Sequence, residues 1–406
     1  MKRLLKNLVK IFIFLGIFTG AQALVKYMLL DDTMTISRVM IHDLYAEEKN
    51  IDVLFCGASH CQLGFDTEVL DQKLGLNTFN AGSSSQGLET SLALIKEASH
   101  DNDLKQVYVD LDYSIVMREL PNLESIYIVS DYMKPSLRKV EFLLNATTFD
   151  YYVNSFMPLH KDRGYTKNPK KIIELLEKKL QPGYWQYTER DPSYAGKGHI
   201  ASSTVMENGK LWSQDEPEMI DFTIPERQQE YLKEIIAFCK QNEIQLTFVS
   251  TPVTDFNLAF VENYDDYVNT VKDFLKDYEV EYYDFNLCNP ELLKLSQNNY
   301  FNDDNHLNQE GAKYFCGVFS EFFTGKLSEQ ELFCESYREK LEMETPAVLG
   351  VEVHLEGEEL EVIPVVNNSR IRPICEIQRE EDTWYIAVSV DDKITNQIEI
   401  RDEDLK

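Results

Sequence analysis

The sequence predicts an α/β fold built on a parallel five-stranded sheet, and three observations carry that prediction. Five short apolar runs, at 51–56, 78–81, 106–111, 244–250 and 280–285, alternate with segments of helical apolar spacing. The runs are near-continuously apolar rather than alternating, as in strands buried on both faces. Each ends in small or polar residues, which is where an open α/β sheet places its functional groups.

The elements follow in order. Residues 51–56 (IDVLFC) form a strand that stops at Gly57. A helix over 66–74 is capped by Asp66 and stopped by Gly75. The strand at 78–81 leads into a Gly/Ser-rich loop, 82–87, and a helix at 88–98. The strand 106–111 ends among Asp110 and Asp112, where helix capping is the preferred reading over a carboxylate pair for a metal. After a long interruption come a helix at 225–240, a strand at 244–250, a helix at 264–276, a strand at 280–285 and a helix at 308–323.

Two regions break the rhythm. Residues 114–224, rich in Tyr, Phe, Met and Trp, are too long for a connection and read as an insertion, either a lid or a packing subdomain. Within it Tyr184, Trp185 and Tyr187 read as subdomain core, and His199 as a surface histidine. A charged helix at 328–341 leads to a tail, 346–406, whose runs at 348–355, 359–366, 371–379 and 383–390 read as a small all-β, sandwich-like module. The main α/β domain then spans 40–342.

Composition narrows the function. The 406 residues carry 40 Lys plus Arg against 69 Asp plus Glu, a net charge of −29. Phosphate contact needs clustered cations, so nucleic acid is excluded as a partner. The seven scattered cysteines hold no CxxC spacing, which leaves no cysteine zinc site and no disulfide scaffold. No cofactor or metal is expected. The first 30 residues hold five basic side chains and no acid, and 11–25 is uncharged and mostly apolar. Fifteen residues span only about 22 Å of a hydrocarbon core of about 30 Å, but continuing to Leu30 reaches full length if Lys26 snorkels. A single-pass anchor with the rest of the chain outside the cytoplasm is preferred. A signal peptide cleaved after Ala23, from the pattern Ala21-Gln22-Ala23, is the rival.

Three blocks carry chemistry. In Gly57-Ala58-Ser59-His60 the serine opens a helix just past a buried strand, so its hydroxyl and its own N–H meet the same space. An acyl-transfer nucleophile needs that placement, and a plain N-cap serine shares it. His60 reads as packing behind Ser59. In Asp303-Asp304-Asn305-His306, a three-residue offset sets Asp303 against one imidazole nitrogen and leaves the other for a serine hydroxyl, with Asp304 as the rival acid. In Asn80-Ala81-Gly82, the glycine N–H offers a second oxyanion donor.

In these blocks, and in their order, the chain resembles the SGNH/GDSL hydrolase superfamily over roughly 50–325. The resemblance implies a flavodoxin-like sheet of order 2-1-3-4-5, with Ser59 as nucleophile, His306 as base and Asp303 as orienting acid. The N–H groups of Ser59 and Gly82 would form the oxyanion hole. Two departures stand out. The first block reads Gly-Ala-Ser-His instead of Gly-Asp-Ser, and Val109-Asp110-Leu111-Asp112-Tyr113 replaces the usual Gly-x-Asn-Asp. An ionised Asp cannot donate, so a third donor would come from Asn80 or Gln86. The Gly-x-Ser-His form, the anchor and the insertion look like the membrane-tethered branch of D-alanyl transfer and alginate acetylation proteins. That branch implies a cell-surface polysaccharide or other polymer as acceptor and a membrane-bound O-acyltransferase as partner.

Overall fold

The computed structural model describes residues 2–30, 35–157, 167–187, 191–206, 211–295, 298–368 and 370–405. Its centre is a five-stranded sheet of order β2-β1-β3-β7-β8, formed by β1 (Val53–Cys56), β2 (Thr78–Asn80), β3 (Gln106–Asp110), β7 (Gln245–Ser250) and β8 (Glu281–Asp284). Every pairing is parallel. Side chains alternate across it with period two. Leu54 and Cys56 face one core with Val107 and Val109, while Val53 and Phe55 face the other with Tyr108. The first core is closed by helices over Leu88–Asp101, Glu226–Gln241 and Tyr264–Leu275.

The second core is aromatic. Phe55 stacks on Phe65 at 4.3 Å and on Tyr108 at 5.0 Å, and Phe315 and Phe319 of the helix Gln309–Phe323 close on it edgewise. Such pairs add about 0.5–1.5 kcal/mol each beyond area burial. They press that helix against the strand carrying the first chemical block.

The insertion contains short helices and β4 (Tyr194–Gly196), β5 (His199–Ile200) and β6 (Trp212–Ser213). Its stretch around Lys197 covers the outer edge of β2, where Asn80 N–H donates to Lys197 O at 2.9 Å. A covered edge cannot template pairing with another chain. His199 corrects its surface reading: it is fully buried, with Nε2 3.8 Å from Asp66 Oδ2. Burial lowers its pKa. Of the three aromatic residues, Tyr184 is buried as expected of core, but Trp185 is exposed. Tyr184 and Tyr187 sandwich the Arg38 guanidinium, 3.7 and 4.2 Å from their ring centres.

The tail differs from its sequence reading in three ways. The helix expected at 328–341 is two short ones, Glu329–Leu332 and Tyr337–Met343. A further strand, β13 (Lys393–Arg401), follows β9 (Val348–Glu356), β10 (Glu359–Val366), β11 (Ile374–Glu380) and β12 (Thr383–Val390). And β6 from the insertion joins the tail, giving two three-stranded sheets, β10-β9-β6 and β11-β12-β13. Val351 and Val353 of one sheet, with Trp384, Ile386 and Ile400 of the other, share the aromatic core under the central sheet. The cysteines are all free, six of the seven buried.

Gly198 sits where a side chain cannot. Its φ is +83° and an added Cβ would lie 1.7 Å from Asn80 O. Gly198→Ala is expected to cost about 2–4 kcal/mol, from left-handed strain plus overpacking. Urea unfolding of the full chain in detergent checks this, and an unchanged midpoint would contradict the packing described here.

Candidate active site

The site is assembled at the carboxyl end of β1. The strand ends at Cys56, and Gly57 lets the chain turn tightly: an added Cβ would meet Asp110 Cβ at 2.5 Å. Ser59 is the first residue of the next helix, α1 (Ser59–Gly64), so its N–H precedes the first intrahelical bond. That N–H has no hydrogen-bond partner among the described residues.

Across the gap, the loop before the helix Gln309–Phe323 carries His306 and Asp303. His306 Nε2 lies 2.7 Å from Ser59 Oγ, and Nδ1 lies 2.9 and 3.1 Å from the two oxygens of Asp303. A carboxylate only accepts, so Nδ1 carries the proton and Nε2 accepts from the serine hydroxyl. Asp303 Oδ1 also accepts the N–H groups of Asn305 and His306, each at 2.9 Å. Burial works to raise the Asp303 carboxyl, but the hydrogen bond and charge of His306, with the Asn305 N–H, hold it well below the usual range. Both carboxylate contacts of His306 Nδ1 are to Asp303, while the backbone carbonyl of the rival Asp304 accepts from Thr254 Oγ1 at 2.5 Å. The structure thus brings Ser59, His306 and Asp303 into one line.

Two supporting residues carry no sequence motif. Asn302 Nδ2 donates to Asp303 Oδ2 at 2.9 Å, and Ser202 Oγ of the insertion donates to Asn302 Oδ1 at 2.5 Å. Gln309 N–H donates to Ser202 O at 2.8 Å. The insertion therefore braces the acid. Only the fold brings residue 202 to residue 302, so spacing could not signal it.

Besides the Ser59 N–H, the expected oxyanion donors are all hydrogen-bonded within the protein. Gly82 N–H donates to Asn80 Oδ1 at 3.0 Å. The Asn80 amide donates to Cys61 O at 2.8 Å and to Phe65 O at 3.0 Å, closing the carboxyl end of α1. Gln86 is buried, accepting from Ser83 Oγ and donating to Ser91 Oγ. All three are engaged in hydrogen bonds to the protein itself. Exposed backbone groups at helix and loop ends must be satisfied, and short polar side chains nearby do so first.

Behind Ser59 lies a second imidazole–carboxylate pair. His60 is buried, with Nδ1 3.3 Å from Asp112 Oδ2, and its ring centre is 5.0 Å from that of His306. Burial works to lower its pKa, but the charge and contact of Asp112 overcome this and push it up to about 9. Asp112 is held low, burial being outweighed by His60 and the Ser114 hydroxyl and N–H it caps. Asp110 bonds the Thr251 N–H and hydroxyl through Oδ1, and burial pushes it up to about 6 against the nearby His60 charge. The capping reading thus fits Asp112; its pairing with His60 has no sequence signature.

The sign of the His60 effect is fixed by its direction. A folded-state pKa raised above the unfolded value near 6.5 adds stability that is full below that value and is lost as pH rises through about 9. Histidine-selective NMR of the full chain is expected to show this midpoint, and Asp112→Asn to drop it into or below the ordinary histidine range, because burial then opposes protonation with less compensation. A midpoint that Asp112→Asn does not move would remove the pair.

No family model matches the chain, and no curated protein does. Among solved structures, 32 chains are similar to it. One is a lipolytic protein of the G-D-S-L family from Desulfitobacterium hafniense DCB-2, 10% identical, covering 67% of this chain and 99% of that one at a TM-score of 0.33. Another, a platelet activating factor from Streptococcus pneumonia, is 11% identical over 75% of this chain and 98% of that one, at 0.35. A third, the acetyl xylan esterase AlAXEase, is 11% identical over 68% of this chain and 100% of that one, at 0.32.

Proposed function

We propose that the chain is a serine-dependent acyl hydrolase or acyltransferase, anchored in a membrane and working outside the cytoplasm. The observation that carries the reading is the continuous line Ser59–His306–Asp303 between groups 247 residues apart in sequence. In this reading Ser59 Oγ attacks an ester carbonyl as its proton passes to His306 Nε2. Asp303 holds the imidazole and stabilises the imidazolium. His306 then returns the proton to the leaving alkoxide as the C–O bond breaks, leaving acyl-Ser59. Water, or a hydroxyl of a cell-surface polymer, takes the acyl group by the reverse sequence. The Ser59 N–H supplies oxyanion stabilisation.

The membrane assignment is supported by the helix Lys2–Leu29, whose stretch Arg3–Leu29 has the length of a span and contains an 18-residue window of mean hydropathy 2.0. Its basic amino end favours retention in the cytoplasm. The half-exposed Asp303 leaves the site open to an acceptor as large as a polymer. A polytopic acyltransferase in the same membrane would be a fitting donor of acyl groups.

One observation favours a second reading, a binding or assembly protein without chemistry of its own. The Gly82 N–H and the Asn80 and Gln86 amides are all engaged in hydrogen bonds to the protein itself, which leaves oxyanion stabilisation thin.

Fluorophosphonate labelling of the full chain separates the two. Labelling of wild type is expected, with none in Ser59→Ala. His306→Ala is expected to slow it by about 10²–10⁴-fold, the worth of a positioned general base. Wild type that is folded yet unlabelled would favour the assembly reading.

A further inference from the structure

The insertion carries a feature that the site does not use, at the point where the amino-terminal helix meets the rest of the protein. Residues 3–21 of that helix are exposed, and its last two turns pack against the insertion. Three contacts fix this junction. Lys179, fully buried, donates to Tyr27 O and Leu30 O at 2.6 Å each, capping the helix's carboxyl end. Lys26 pairs with Asp131 at 3.4 Å. The Trp185 indole stacks on Tyr27, ring centres 5.9 Å apart and 17° from parallel.

The depth of this junction follows from length. The uncharged run 11–25 falls about five residues short of the hydrocarbon thickness, so the far boundary of the bilayer falls near residues 26–30. That is the level of Tyr27, Lys26 and the capped carbonyls. Trp185, stacked at that level, is 59% exposed, and Leu180, next to Lys179, is 73% exposed. An exposed tryptophan stacked on a tyrosine, beside an exposed leucine, is the kind of amphipathic aromatic group that settles at a lipid headgroup boundary.

We infer that the insertion segment around Leu180 and Trp185 seats in the outer interface of the lipid bilayer, a second membrane contact beside the spanning helix. The inference rests on reading that helix as a span. One spanning helix alone leaves the domain free to tilt; a second contact at its exit fixes the height and tilt of Ser59 over the membrane. The occupant is lipid, because the helix length places the exposed indole at the headgroup boundary.

The test uses full-length protein reconstituted in phosphatidylcholine–phosphatidylglycerol vesicles. The chain has three tryptophans, so subtracting the emission of Trp185→Phe from that of wild type isolates Trp185 and leaves the bonded Trp384 in place. Lipids brominated near the headgroup are expected to remove most of the Trp185 component, and aqueous iodide to leave it largely intact. A chain that resists carbonate extraction while Trp185 is quenched by iodide and spared by brominated lipid would overturn the seating and leave the anchor standing. A chain that carbonate strips from vesicles would overturn the anchor and the seating together. Trp185 open to iodide in pure lipid but shielded in native membranes would overturn the lipid assignment in favour of a protein partner.

Discussion

The hydrogen bond from Ser59 to His306 is the contact on which the rest of the arrangement depends, because nothing local can make it. Its partners are 247 residues apart, and each is held by a different part of the fold. Ser59 is set by β1 and by the turn that Gly57 permits over Asp110. His306 is set by a loop pinned at Asn302 N–H to His306 O and at Asn308 N–H to Tyr300 O. What holds those two parts together is the aromatic core of Phe55, Phe65, Phe315 and Phe319. A shift of 1 Å in that core would break a 2.7 Å bond, so packing and chemistry are one problem here.

Much of this was legible from sequence, because the signals are local. The five strands of the central sheet follow from their apolar runs, and the Asp66 cap and the Gly75 stop from helix-end chemistry. The adjacency of Asp303 and His306 follows from a three-residue offset. What was not legible is long-range. β6 joins β9 by two register pairs, and a two-residue strand has no periodicity to read. Asn80 reads as a donor toward a ligand, but its amide goes to the carbonyls of Cys61 and Phe65 at the end of α1, a pairing between residues 15 and 19 apart that no local spacing signals. His199 reads as exposed in a Gly-Lys-Gly-His loop, yet the loop folds inward over β2.

A lone buried imidazolium at His60 would cost several kcal/mol, and Asp112 offsets that cost at 3.3 Å. The pair lies under Ser59 without touching its hydroxyl. The insertion reaches Asp303 from outside, through Ser202 and the Asn302 amide it holds, and it reaches the amino-terminal helix through Lys179. One segment thus links Asp303 to the amino-terminal helix.

The most direct measurement is the mass of the Ser59 peptide after rapid mixing of the full chain with p-nitrophenyl acetate and an acid quench. The account predicts one acetyl group on Ser59, formed in step with a burst of p-nitrophenol and absent from His306→Ala on the same time scale. Release of p-nitrophenol with Ser59 unmodified would contradict it.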